Sequence, residues 1–145
     1  MKRVMVFGTF DVVHDGHRHL LQQAADMGEE VIIVVSRDEH VLELKGRLPI
    51  NQLEDRLEAI SCESEVTTAV AGDLELGSYG VLTEHQPDAI LLGYDQDELK
   101  ENLMAWMEDH GINNISCSYA SAYMPHLFNT TRIVEQMQDE ELSVL

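Results

Sequence analysis

"RVMVFGTFDVVHDGH", residues 3–17, runs from a β-rich apolar stretch through a glycine into two histidines three residues apart. Arg3 to Phe7 favour a strand, and Gly8 ends it. From Gly16 the spacing turns helical: Leu20, Leu21, Ala24, Ala25 and Met27 share a face, and Gly28 closes the segment. The next run, EVIIVVS (residues 30–36), is continuously apolar and β-branched. Such runs belong to parallel sheets covered by helices on both faces.

The same alternation continues along the chain. Helices are expected over residues 38–44, 52–62 and 78–86, with strands at 65–71 and 87–93. Residues 97–111 read as an amphipathic helix with Leu99, Leu103, Trp106 and Met107 inward. A fifth strand at 113–119 precedes a last helix at 129–142, capped by Asn129 or Thr130. This order predicts one α/β domain over residues 1–145, built on a doubly wound, Rossmann-like, five-stranded parallel sheet. Ligands of such sheets sit beyond the C-terminal strand ends, where strand order reverses. The loops at 8–17, 36–38, 72–73 and 93–95 lie there.

Composition narrows the function. A chain of 145 residues, 44% hydrophobic and 25% charged, suits a single globular domain. No apolar run approaches the roughly 20 residues of a membrane-spanning helix, and no secretion signal is expected at the N-terminus. Cys62 and Cys117 are too few for a disulfide framework, so a reduced, cytoplasmic setting is expected. The formal net charge of −18 opposes nucleic acid and anionic lipid, so neither is an expected partner. A phosphate-bearing substrate would need a local cluster of positive groups.

With a helix starting near Gly16, His17 falls in the first turn, partly exposed, and His14 just before it. Both rings can face the crevice above the sheet, where unpaired helix N–H groups attract phosphate. Gly8 and Gly16 would let the backbone approach a ligand closely. The plainer reading makes Asp15 the N-cap and leaves both histidines on the surface. No metal site is expected, because two histidines and one carboxylate in a turn lack the i, i+4 spacing of helical metal motifs. Neither GxxxxGK[ST] nor GxGxxG occurs, which excludes the other common phosphate loops.

The decapeptide GTFDVVHDGH resembles the GTFDxxHxGH signature of the cytidylyltransferase-like nucleotidyltransferases. The likeness extends to KGRLPINQLEDRLEAI (45–60), PDAILLGYDQ (87–96) and FNTTRIVEQM (128–137), nearly the whole chain. It implies attack by an acceptor phosphate on the α-phosphate of a nucleoside triphosphate, with pyrophosphate released and Mg²⁺ present. No covalent enzyme intermediate forms in that reaction, so positioning and charge stabilisation are the enzyme's task. The resemblance assigns catalysis to His14, His17 and Lys45. It assigns nucleotide binding to Gly8, Thr9, Phe10, Asp11, Gly16, Arg47, Arg56, Gly93, Tyr94, Asp95, Thr130 and Thr131.

One segment departs from the family. Where relatives carry arginine and serine in an R-T-E-G-I-S-T-T run, this chain has Met124 and Asn129, leaving His126 or Arg132 to compensate. GYDQ (93–96) and KGRLPI (45–50) are most similar to the archaeal-type FAD synthetase branch, which implies ATP as co-substrate and FMN as acceptor. The alternatives are CTP with glycerol 3-phosphate or another alcohol phosphate, and a nucleotide-binding module without turnover. Tyr94, Tyr123 and Phe128 are candidates to line a flavin slot. The family resemblance also implies a homodimer.

Overall fold

Alternation along the first strand divides the interior. In the computed structural model, which describes residues 2–121, Val4 and Val6 enter one apolar layer and Met5 and Phe7 the other. This is the period of two that puts successive side chains on opposite faces of a sheet. The elements in chain order are β1 (Arg3–Gly8), α1 (Asp15–Met27), β2 (Glu30–Val35), α2 (Asp38–Lys45), α3 (Leu53–Ser61), β3 (Thr68–Ala71), α4 (Gly80–His85), β4 (Ala89–Leu92), α5 (Asp97–Asp109) and β5 (Ser116–Tyr119). The expected parallel five-stranded sheet is present, with strand order β3-β2-β1-β4-β5.

Each face of the sheet has its own helices. Leu20, Leu21 and Ala24 of α1 and Ile60 of α3 pack on Val4, Val6, Val31, Ile33 and Val35. Val81 and Leu82 of α4 with Leu103 and Met107 of α5 cover Met5, Phe7, Ile32, Val34, Ile90 and Leu92. The chain winds outward from β1 to β3, then returns to β4 on the other side of β1. That reversal opens the crevice. The β1–β2 ladder runs from Arg3↔Glu30 to Gly8↔Val35, whereas β1 and β4 pair only at Val4↔Ala89 and Met5↔Ile90.

Several ends differ from the sequence expectation. α4 is confined to Gly80–His85 because Tyr79 (φ 45°) and Gln86 (φ 47°) take left-handed conformations at its two ends. α5 stops at Asp109, and Gly111 (φ 67°) turns the chain behind it. The outer strands β3 and β5 are shorter than the expected 65–71 and 113–119, each pairing with its single neighbour over four residues. The last helix expected at 129–142 lies outside the described residues. Among those residues no helix is long and apolar enough to cross a membrane, and Cys62 and Cys117 are free thiols.

Gly28 sits where α1 hands over to β2. Its φ of −163° suits any residue, but an added Cβ would lie 2.7 Å from the Lys2 carbonyl oxygen and 3.0 Å from Val4 Cγ2. Space, not conformation, demands glycine. Gly28→Ala should destabilise the protein by about 1–3 kcal/mol, the range for forced overpacking, and lower the urea midpoint without changing the transition's slope. An unchanged midpoint would show that the turn moves aside freely.

Candidate active site

The helix start is built by its two histidines. His14 is the N-cap of α1, with extended backbone (φ −137°, ψ 179°). Its Nδ1 accepts from the Gly16 N–H at 3.0 Å and the His17 N–H at 3.4 Å. His17 occupies the third helical position and completes the exchange, its Nδ1 accepting from the His14 N–H at 3.2 Å. This reciprocal arrangement is a capping box, usually built from Ser or Thr with Glu or Gln. Asp15 is therefore not the cap, and α1 starts at it instead of at Gly16; its carboxylate meets Arg18 at 3.2 Å.

The capping bonds fix the chemistry of both rings. Each Nδ1 is an acceptor, so the neutral ring carries its proton on Nε2. The rings stack with centroids 3.7 Å apart and planes 25° from parallel. His17 is buried, 3% exposed, with its edge against Phe10 at 5.2 Å. This corrects the partly exposed position expected from its place in the first turn, since Phe10 folds over it. Its Nε2 has no hydrogen-bond partner among the described residues. A buried donor left so costs about 1–3 kcal/mol and is poised for an incoming acceptor.

Burial also keeps the pair uncharged. Desolvation pushes His14 down to about 4, with Asp15 partly opposing it. Desolvation, reinforced by neighbouring His14, holds His17 well below the usual imidazole range. Near neutral pH both rings are neutral N–H donors. The loop beneath them is strained as well, because Phe10 is left-handed at φ 52°. That conformation costs a residue with a Cβ roughly 1–2 kcal/mol, and it is held by a set of long-range bonds.

Those bonds tie residues 9–11 to the loop after α2. Asp11 Oδ2 accepts from the Ile50 N–H at 2.7 Å and Oδ1 from the Asn51 N–H at 2.8 Å. Asn51 Nδ2 donates to the Asp11 carbonyl at 2.7 Å. Arg56 has no exposed side-chain surface. It donates to the Thr9 carbonyl at 2.9 Å, the Asn51 carbonyl at 3.0 Å and Asp38 Oδ1 at 2.6 Å. Asp11 and Arg56 thus brace the loops from behind. Lys45, the last residue of α2, brings Nζ to 3.3 Å from Thr9 Oγ1, and half-buried Arg47 follows in the same loop.

The second wall is the turn after β4. Gly93 is buried, while Tyr94 and Asp95 stand exposed at the rim. Gln96 ties this turn to β1: Oε1 accepts from the Gly93 N–H at 2.7 Å, and Nε2 donates to the Phe7 carbonyl at 3.1 Å. The structure therefore gathers Gly8–Asp11, His14, Gly16, His17, Lys45 and Arg47 on one side and Gly93–Asp95 on the other. Asp38, Asn51 and Gln96 were not legible as site residues, because the bonds of Asp38 to Arg56, Asn51 to Asp11 and Gln96 to Phe7 span 18 to 89 residues. Thr130 and Thr131, with Tyr123, Met124, His126, Phe128, Asn129 and Arg132, lie outside the described residues. Among those described, no three His, Cys, Asp or Glu side chains are grouped to hold a metal.

The depressed histidines set a pH dependence. Both gain a proton more readily unfolded, near the ordinary value of about 6.5, than folded. Acid therefore favours the unfolded chain, and stability is lost as pH falls below about 6.5 toward 4, with His17 continuing lower. In His17→Gln the amide oxygen can still accept from the His14 N–H but does not titrate. Urea unfolding at pH 7, 6 and 5 should show a smaller acid loss in the variant than in the parent. Equal slopes would remove the histidine from this linkage.

The chain is similar to known proteins over most of its length. The cytidylyltransferase-like family model matches residues 5–136. An FAD synthase of Pyrococcus horikoshii is 36% identical over 137 residues, covering 94% of this chain and 93% of the relative. An FAD synthase of Pyrococcus abyssi is 43% identical over 105 residues, 70% of this chain and 71% of that protein. The crystal structure of a lipopolysaccharide core biosynthesis protein from Thermoplasma volcanium superposes with a TM-score of 0.75 at 34% identity, covering 85% of this chain and 98% of that one. Pantothenate synthetase of Thermus thermophilus, at 15% identity, shares the fold alone, with a TM-score of 0.58 over 83% of this chain and 55% of that one. Family match, relatives and fold agree: the chain belongs to the cytidylyltransferase-like family.

Proposed function

We propose that this protein transfers the adenylyl group of ATP to FMN, forming FAD and pyrophosphate. The observation that carries the reading is the unpartnered Nε2–H of His17, beside His14 at the N-terminus of a thirteen-residue helix. The extended similarity to FAD synthases supports ATP and FMN as the substrates. An FMN phosphate oxygen attacks the α-phosphorus in line as the bond to the bridging oxygen breaks. Pyrophosphate leaves with that electron pair. The attacking phosphate is already deprotonated near neutral pH, so no general base is required.

In this reading the two Nε2–H groups donate to phosphate oxygens and hold the charge that builds on them. Lys45 and Arg47 supply the positive charge that a surface of net −18 lacks. The positive end of the α1 dipole adds to that field. Gly8 and Gly16 leave room for the triphosphate, while Gly93, Tyr94 and Asp95 hold base and ribose. Thr9, Phe10, Asp11 and Arg56 act by fixing the loop, and Thr130 and Thr131 complete the phosphate contacts. Both Asp11 oxygens are already engaged, and no cluster of metal-binding side chains is present among the described residues. Magnesium therefore enters bound to the triphosphate, as part of the substrate. A homodimer belongs to the same reading on the strength of the family resemblance, and a cytoplasmic setting on that of the two unpaired cysteines.

Two experiments test it. Incubating the protein with FMN, ATP and Mg²⁺, with CTP in parallel, should give FAD from ATP alone by chromatography. A folded protein that makes none overturns the assignment, and products from CTP and alcohol phosphates would replace it. His17→Gln keeps the helix cap but displaces the buried donor, so kcat should fall about 10²–10³-fold, as when one oxyanion donor is removed, with the native circular dichroism retained. A variant within threefold of the parent would place the charge-stabilising group elsewhere.

A further inference from the structure

Gln96 does two things that a residue before a helix does not ordinarily do. It occupies the N-cap position of α5, yet its side chain makes no capping bond to that helix. One end of its amide holds its own turn and the other reaches across to the opposite wall. Oε1 accepts from Gly93 N–H at 2.7 Å and Nε2 donates to the Phe7 carbonyl at 3.1 Å. The residue is 5% exposed, so these bonds are shielded from water. They lie beyond the last paired residues of β1 and β4, Met5 and Ile90.

The placement has a consequence for the site. One wall of the crevice is the loop Gly8–His17, continuous with Phe7; the other is the turn Gly93–Asp95. A single side chain bridges the two backbones at their roots. We infer that Gln96 is the positioning residue that sets the nucleoside-holding turn Gly93–Asp95 at its working distance from the phosphate-holding histidines. The inference rests on the nucleotidyl-transfer reading. It assigns to Gln96 no contact with substrate. Its effect falls on the group that spans both walls, the nucleoside triphosphate, and spares the acceptor.

Gln96→Glu is the sharpest test, because it preserves length and shape and changes one donor to an acceptor. Ionised, the introduced carboxylate would set an oxygen against the Phe7 carbonyl; protonated, the same group could donate there as the amide does. Burial raises a carboxyl's pKa, which brings that titration toward the assay range. The expected result at pH 8 is a KM for ATP raised about tenfold, the worth of one good hydrogen bond, with the KM for FMN within twofold of the parent. The ATP defect should shrink as pH is lowered to 6, a trend absent from the parent. Equal rises in both KM values would show a general structural role and overturn the proposal. So would an unchanged KM for ATP, or a defect that ignores pH.

Should Gln96→Glu fail to fold at pH 8, Gln96→Met removes both bonds without charge. It is expected to raise the KM for ATP selectively and without a pH trend, and an unchanged KM for ATP overturns the proposal. The parent in the same assay tests nucleotidyl transfer separately. A parent that makes no FAD overturns that reading, and the comparison is then made with dissociation constants for ATP and FMN by calorimetry. A parent that binds no ATP overturns both.

Discussion

Each imidazole in the opening motif accepts a backbone N–H through Nδ1, and the rest of the site depends on that constraint. The bonds satisfy donors that every helix leaves open at its start. They also decide which nitrogen carries the proton and where the donor points. A serine and a glutamate could cap α1 equally well, but they would present no second donor to the crevice. Structure and chemistry are served by opposite edges of the same rings. Burial completes the device by keeping the rings neutral, so that they meet an anion as N–H donors and not as ions already paired.

The loop that carries these rings cannot hold its shape alone. Phe10 is left-handed without being glycine, and such a residue persists only when its surroundings over-determine it. Asp11, Asn51 and Arg56 provide that surplus through bonds spanning 39 to 47 residues. The Arg56–Asp38 pair differs from the ion pairs of Arg18 with Asp15 and Glu63 in that its cation is fully buried, while Arg18 is half exposed. Exposed pairs contribute about 0–1 kcal/mol, whereas a buried cation that loses its partner is left uncompensated. The strained loop is anchored on such a cation.

Much of the architecture was legible in the sequence, because the β-branched runs and helical spacings report burial directly. EVIIVV could only be a strand covered on both faces, and Leu103 and Met107 on α5 could only face inward. The histidine pair was legible as a motif but not as a cap, since Asp15 is the more usual capping residue and histidine rarely serves. The burial of His17 and Arg56 was not legible either. Amphipathic patterning assigns polar residues to water, and only the folded loop, with Phe10 turned over His17 and Thr9 set against Arg56, reverses that. Gln96 belongs with these: a glutamine's partners 89 residues away leave no trace in local sequence.

The sheet is unevenly joined. Six register pairs hold β1 to β2, four hold β4 to β5, and only two hold β1 to β4. The seam between the halves is thinnest directly below the crevice. A molecule lying across that crevice would touch both halves at once and add a second rivet beside the single one that Gln96 supplies. Because a ligand bound only by the folded state adds to its stability in proportion to the logarithm of its concentration, the cohesion of the fold would then follow the supply of that molecule. The place where the protein is least sewn together is the place such a molecule would close.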